Sequence, residues 1–236
     1  MSDVRVGTSG WSYPEWVGRF YPNGTSPPRM LPFYAKRFPT VEAHSTYRRL
    51  PTATALERWI SQVPPEFRFA PKAHMGITHR RDLDGVEERM ASFFEALTPL
   101  GSLLGPVIFC IPHQQPDTGR LDRLLGALPP VPRPPVAFEL GPAWATSDTL
   151  KRLEAHDATL VLVETEGRPA PVLDVGPFAY VRLRRDTYDR AALDAWAERL
   201  ETVADGARDA YAFFKHDETG SGPRYARRVN GRLSRL

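Results

Sequence analysis

Val4-Arg5-Val6-Gly7-Thr8-Ser9-Gly10-Trp11 decides between the two architectures open to this chain. Val4 and Val6 alternate with polar or small residues, which is the pattern of a strand buried on one face. The turn that follows lacks the G-x-G-x-x-G spacing with which an open doubly wound sheet cradles a pyrophosphate. Strand-like runs recur at Thr40–His44, Phe67–Lys72, Val107–Ile111, Val136–Leu140, Thr159–Glu164, Phe178–Arg184 and Ala210–Lys215. Helical patterns separate them at Pro28–Phe38, Ala53–Val63, Val86–Leu97, Leu121–Leu128, Asp148–His156 and Ala191–Ala204, with a last one at Pro223–Leu233. Thr52 and Thr146 stand where helix caps belong, and only the stretch from Thr165 to Pro177 lacks a helical pattern. Strand and helix in alternation imply parallel strands with crossover helices. Eight strands in 236 residues give about 29.5 residues per unit, close to the ~30 that one βαβ unit requires. The expected fold is therefore α/β, a single TIM-like (β/α)8 barrel in one domain over residues 1–236.

Composition narrows the function classes. Hydrophobic residues make up 42% and charged residues 25%, an ordinary globular balance that excludes wholesale disorder. The single cysteine, Cys110, cannot form an internal disulfide, and its apolar strand Val107-Ile108-Phe109-Cys110-Ile111 reads as a buried thiol before it reads as a nucleophile. No apolar run approaches the ~18 residues of a membrane helix, and Met1-Ser2-Asp3-Val4 enters a strand pattern without a leader, so the expectation is a cytoplasmic protein with no membrane partner. Of 31 basic residues 27 are Arg, a bias that a GC-rich genome also produces. A net charge of +3 is too weak to name an acidic partner.

In a barrel the chemistry sits at the C-terminal ends of the strands, on side chains that point inward. Assigning the more apolar parity to the helix layer sends Val4, Val6, Val41, Ala43, Phe67, Phe69, Val136, Phe138, Val181 and Leu183 outward. It leaves Arg5, Ser9, Glu42, His44, Ala70, Lys72, Glu139, Tyr180, Arg182 and Arg184 inside. The eighth strand is apolar on both parities, so Lys215 is placed only by its position at the strand end. Charges enter such a core only when paired, because desolvation costs several kcal/mol per ion. Two readings follow: a structural network of Glu42 and Glu139 with Lys72 and Arg182, or a polar ligand site built from the same residues.

Weaker signals surround this set. His44, His74, His113 and His216 fall at or just after strand ends, where with Glu42 or Asp217 they could ligate a divalent ion, but no H-x-H or H-E-x-x-H spacing supports one. No metal and no cofactor are assigned. Arg224, Arg227, Arg228, Arg232 and Arg235 form an acid-free tail that could touch phosphates or simply face water. Trp11, Tyr13, Trp16, Phe20 and Tyr21 could offer a stacking wall or pack the first loop against the barrel.

The run Gly7-Thr8-Ser9-Gly10-Trp11-Ser12-Tyr13 with Trp16, Gly18 and Phe20-Tyr21-Pro22 resembles the start of the DUF72 family, the YecE-like proteins. The resemblance continues through Tyr34-Ala35, Thr40-Val41-Glu42, Ser45-Thr46, Leu50-Pro51, Phe67-Arg68-Phe69-Ala70, Lys72, Ile77-Thr78-His79, Tyr180-Val181-Arg182-Leu183 and the tail from Gly220 to Leu233. It implies a TIM-like α/β barrel and no particular reaction. Departures cluster at the strand ends. His44 stands where the family pattern has Asn, and Cys110 where it has Gln. Arg184-Arg185 replaces His-Gly, and Lys215-His216 replaces Asn-Asn before Asp217. Only Glu139 and Trp144 remain of a longer Glu-x-Arg-His-x-x-Trp pattern. The mouth is more basic than the family pattern.

Three functions are therefore expected in competition. The first is an enzyme for a small anionic, phosphorylated or carboxylated substrate, with Glu42 or Glu139 as base and Lys72 as electrophile or acid. Ser9, Trp11, His44, Arg182, Arg184, Lys215 and Asp217 would bind, with the arginines and Lys215 clamping the anion. The second is a nucleic-acid binder using the Arg tail and the aromatic loop. The third is a non-catalytic barrel that serves as a scaffold.

Overall fold

The computed structural model describes residues 3–112, 115–171, 176–206 and 208–234. Along the chain run β1 (Val4–Thr8), α1 (Pro27–Ala35), β2 (Thr40–Ala43), α2 (Ala53–Ile60), β3 (Arg68–Pro71), α3 (Met75–Thr78), α4 (Val86–Leu97) and β4 (Val107–Cys110). They are followed by α5 (Thr118–Gly126), β5 (Val136–Glu139), α6 (Ser147–Glu154), β6 (Ala158–Leu160), β7 (Leu162–Glu164), β8 (Ala179–Leu183), α7 (Arg190–Asp205), β9 (Ala210–Phe214) and α8 (Ser221–Leu233). All strand ladders are parallel, and helices alternate with strands as the patterning requires. The caps expected at Thr52 and Thr146 accept the amides of Ala55 and Thr149, and Asp117 and Asp189 do the same for α5 and α7. The described part of the stretch 165–177 carries no helix.

The expected single closed ladder gives way to three sheets, with orders β1-β9-β8-β7, β2-β3 and β4-β5-β6. Two of the three breaks have a local cause. Between β1 and β2 the phenol of Tyr34 is inserted: it accepts the Thr8 amide at 2.8 Å and donates to the Thr40 carbonyl at 3.0 Å. A Cβ at Gly7 would lie 2.1 Å from that carbonyl, so only glycine fits. Beyond this point Ser9 bridges Glu42, and Gly10 donates to the Glu42 carbonyl at 2.8 Å. Between β3 and β4 the cause is Pro71. The amides of Arg68 and Lys72 point to β2, and those of the alternate residues point to β4, as Ala73 does to Ile108 at 2.8 Å. Pro71 occupies an alternate position and has no N–H to give. The third break divides the expected strand 159–164 in two, with β6 on β5 and β7 on β8.

Side-chain parity follows the sequence reading. One large apolar cluster lies between strands and helices and contains Val6, Val41, Phe69, Phe109, Phe138, Val181 and Leu183. A second contains Ala70, Ile108, Ala137, Val161, Phe178, Tyr180, Tyr211 and Phe213, the opposite faces of the same strands. The ambiguous last strand is thereby resolved, with Tyr211 and Phe213 in the smaller core. Burying each large side chain contributes ~1.5–3 kcal/mol.

Candidate functional site

At the strand C-termini the smaller core ends in charge. Glu42, at the third position of β2, is fully buried, and both its oxygens are occupied. Oε1 accepts from Ser9 Oγ at 2.9 Å, Arg182 Nη2 at 2.7 Å and Arg184 Nη2 at 3.2 Å, and lies 2.5 Å from His44 Nε2. Oε2 accepts from the buried Tyr180 hydroxyl at 2.8 Å. Burial opposes ionisation of Glu42, yet Arg182, then the His44 hydrogen bond and Arg184, hold its carboxyl well below the usual carboxylate range.

Arg182 joins the two halves of the cluster. Its Nη1 pairs with Glu139 at the end of β5 and reaches Cys110 Sγ at 3.6 Å. Burial disfavours the guanidinium charge, but Glu42 and Glu139 outweigh it and raise the Arg182 pKa. Arg184 donates to Ser9 Oγ at 2.8 Å as well as to Glu42. Burial, followed by repulsion from Arg182, lowers its pKa. Burial also pushes the Cys110 thiol up to about 12, so it is no thiolate near neutrality.

Lys72 begins the loop after β3 on the same inward parity. It is half-buried, and its ammonium sits 4.3 Å above the Tyr47 ring. The ammonium forms no hydrogen bond or ion pair among the described residues. Glu139 keeps 27% of its side chain exposed and His44 keeps 36%. The accessible polar groups of the cluster are thus Lys72, Glu139 and His44, around a neutralised centre.

Not every expected residue joins them. Lys215 pairs with the exposed Asp186. Asp217 takes the amides of Thr219, Ser221 and Gly222 at 2.7, 3.0 and 2.9 Å, so its carboxylate caps α8. Trp11 is half-buried edge-on to Trp59, with ring centroids 5.1 Å apart. Its neighbours Trp16 and Tyr21 are buried, so the first loop packs far more than it presents a wall. The histidines disperse: His44 goes to Glu42, His216 lies 2.6 Å from Glu15, His74 accepts the Gly76 amide at 3.1 Å, and His113 lies outside the described residues. Among the described residues no three His, Cys, Asp or Glu side chains gather as a metal site would require. The Arg tail is half spent on α7, since Arg228 grips Asp194 with two bonds of 2.7 Å and Arg232 lies 3.7 Å from Glu198; Arg235 lies outside the described residues. Tyr180, inward by parity and part of the motif Tyr180-Val181-Arg182-Leu183, is the member of the cluster absent from the expected site residues.

This geometry can be compared with known proteins. A family model described as "Protein of unknown function DUF72" matches residues 5–235. The chain belongs to the DUF72 family. Among curated DUF72-like relatives, UPF0759 protein YunF of Bacillus subtilis (strain 168) is 30% identical over 115 residues, covering 46% of this chain and 40% of YunF. UPF0759 protein YecE of Escherichia coli (strain K12) is 28% identical over 102 residues, covering 43% of this chain and 35% of YecE. The matched part thus spans about two fifths of the length of these relatives. Two solved DUF72 family proteins share the fold. The one from Thermotoga maritima MSB8 has a TM-score of 0.82 at 22% identity, covering 98% of this chain and 99% of that one. The one from Enterococcus faecalis V583 has a TM-score of 0.80 at 19% identity, covering 98% and 95%. No helix among the described residues is long and apolar enough to cross a membrane.

Proposed function

We propose that the three sheets are arcs of one (β/α)8 barrel spanning the chain, and that its mouth is an enzyme site for a small anionic, phosphorylated or carboxylated, molecule. The separation of two apolar cores by strand parity supports the barrel. The observation that carries the site is the Lys72 ammonium: a half-buried cation with a ring beneath it and no carboxylate beside it. Every other cation of the cluster is matched. Arg182 is held by Glu42 and Glu139, and Arg184 by Glu42 and Ser9.

Roles follow from this division. Lys72 receives the anion and supplies the electrophile or the proton. Glu139, partly exposed and bound to Arg182, is the base. Glu42 is a positioning residue: a carboxylate held well below its usual range by Arg182, His44 and Arg184 takes up no proton near neutrality. Ser9, Arg184 and Tyr180 keep it in place, and His44 stands at the rim. Lys215 and Asp217 act outside the clamp.

Titration calorimetry with phosphate and small carboxylates tests the reading. Lys72→Met should weaken the anion that binds the native protein at least tenfold, about 1.4 kcal/mol. Unchanged affinity would overturn it. One observation favours the scaffold reading instead, the complete saturation of Glu42. Glu139→Gln separates the two, because an enzyme loses turnover while a scaffold keeps its partner.

A further inference from the structure

The loops after β2 and β3 carry more charge than the fold and the small-anion site use. Residues 44–52 hold Arg48 and Arg49 and no acid. Residues 72–85 hold Lys72, Arg80 and Arg81 against Asp82 and Asp84. These two loops therefore carry a formal excess equal to the whole chain's +3, so the rest of the molecule is neutral on balance. They form one surface. Thr46 Oγ1 donates to the Lys72 carbonyl at 2.7 Å, and the Tyr47 and His79 rings meet edge-on at 5.3 Å.

Apolar surface, more than pairing, separates this rim from the Arg-rich α8. Arg228 and Arg232 of α8 face acids of α7, but Arg224 and Arg227 of α8, like Arg48, Arg49 and Arg81 of the rim, are exposed and form no ion pair among the described residues. Only Arg80 is neutralised locally, by Asp82 at 3.2 Å. The rim also carries apolar surface. Leu50, 36% exposed, and Met75, 43% exposed, are two of the three exposed large hydrophobic side chains among the described residues. Unpaired guanidinium groups interleaved with apolar side chains and the exposed His79 ring suit a partner with a phosphate backbone and unstacked bases. An acidic peptide would use the charges and leave the apolar surface without a reason.

We propose that the rim formed by the β2–α2 and β3–α4 connections docks single-stranded nucleic acid. Arg48, Arg49 and Arg81 contact phosphates, and Leu50, Met75 and His79 receive bases. This goes beyond the small-anion reading and stands without it.

Fluorescence anisotropy with a labelled oligothymidylate of about 15 nucleotides, titrated at several salt concentrations, tests it. Binding should fall with salt, each phosphate contact contributing about 0.7 to the slope of log K against log salt. The double variant Arg48→Glu with Arg49→Glu should weaken binding at least tenfold and flatten that slope, and Arg81→Glu should act in the same direction. Met75→Ser should weaken binding with the slope unchanged, the mark of a base contact. Arg224→Glu with Arg227→Glu on α8 should bind as the native protein does. All these positions are exposed, so circular dichroism melts should stay unchanged and exclude unfolding. Three outcomes would overturn the proposal: no salt-dependent binding, displacement by polyglutamate as effective as by the oligonucleotide, or an equal loss in the α8 variant. Phosphate binding by Lys72→Met is measured separately, so either reading can fail without the other.

Discussion

Glu42 holds its charge where water does not reach, between two guanidinium groups, an imidazole and two hydroxyls. Such a group is stabilised only by its partners, so removing any of them is felt. Tyr180→Phe leaves shape intact and deletes one donor; a loss of about 1–2 kcal/mol in urea unfolding is expected. Glu42→Gln takes the carboxylate from buried Arg182 and leaves part-buried Arg184 with no acid beside it, and should cost about 3–5 kcal/mol. The pH dependence has a definite sign. Glu42 is ionised in the folded chain well below its usual range, so the unfolded chain binds the extra proton first. Its contribution is full above the unfolded value, about 4.3, and is lost as pH falls through the lower folded value. An acid-unfolding profile of Glu42→Gln should therefore be flatter below about pH 4.3 than that of the native chain. Equal slopes would show that Glu42 is not held low.

At the scale of elements, Asp217 separates a capping role from a binding one. Its carboxylate takes three amides at the start of α8. Asp217→Ala should lower stability by about 1–2 kcal/mol while leaving anion affinity unchanged. Strand parity was legible in the sequence because Val, Phe and Leu alternate with Glu, Lys and Arg, and that alternation alone brought Glu42, Glu139, Arg182 and Arg184 together. Lys215 and Asp217 were not legible in the same way. They lie past the end of β9, where direction is set by the loop rather than by the two-residue period of a strand. The strand breaks were half legible: Pro71 announces a missing donor, but which neighbour loses it depends on amide direction, which only pairing reveals. The insertion of Tyr34 left no local signal, because its phenol comes from a helix 26 residues away from Thr8.

At the scale of the molecule, the last elements complete the first. β1 pairs along its whole length with β9, and Asn230 of α8 donates to the Val6 carbonyl at 3.0 Å. Tyr225, Ala226 and Val229 of α8 are buried in the outer core. A chain ending before Ser221 should expose that core and unfold without a cooperative transition by circular dichroism. A sharp transition would mean that α8 is an appendage. The α/β class with parallel strands was readable from the alternation of strand and helix, a property of the whole chain, whereas a single closed ladder was not. The identity of a ligand is not such a property, since it rests on a few side chains at strand ends.

The pairing of β1 with β9 also has a consequence for biosynthesis. Val4 must wait for Ala210. At ribosomal speeds of ~5–20 residues per second, that strand edge stays open for roughly 10–40 s. Throughout this time the nascent chain displays the amides and carbonyls of Val4–Thr8 to any other strand in reach. Its buried neighbours offer few charges to deter a wrong partner. Arg5, inside the finished molecule and bonded to Asp3 at 2.6 Å, is the one cation within that strand, and an inward charge of this kind disfavours edge-to-edge pairing.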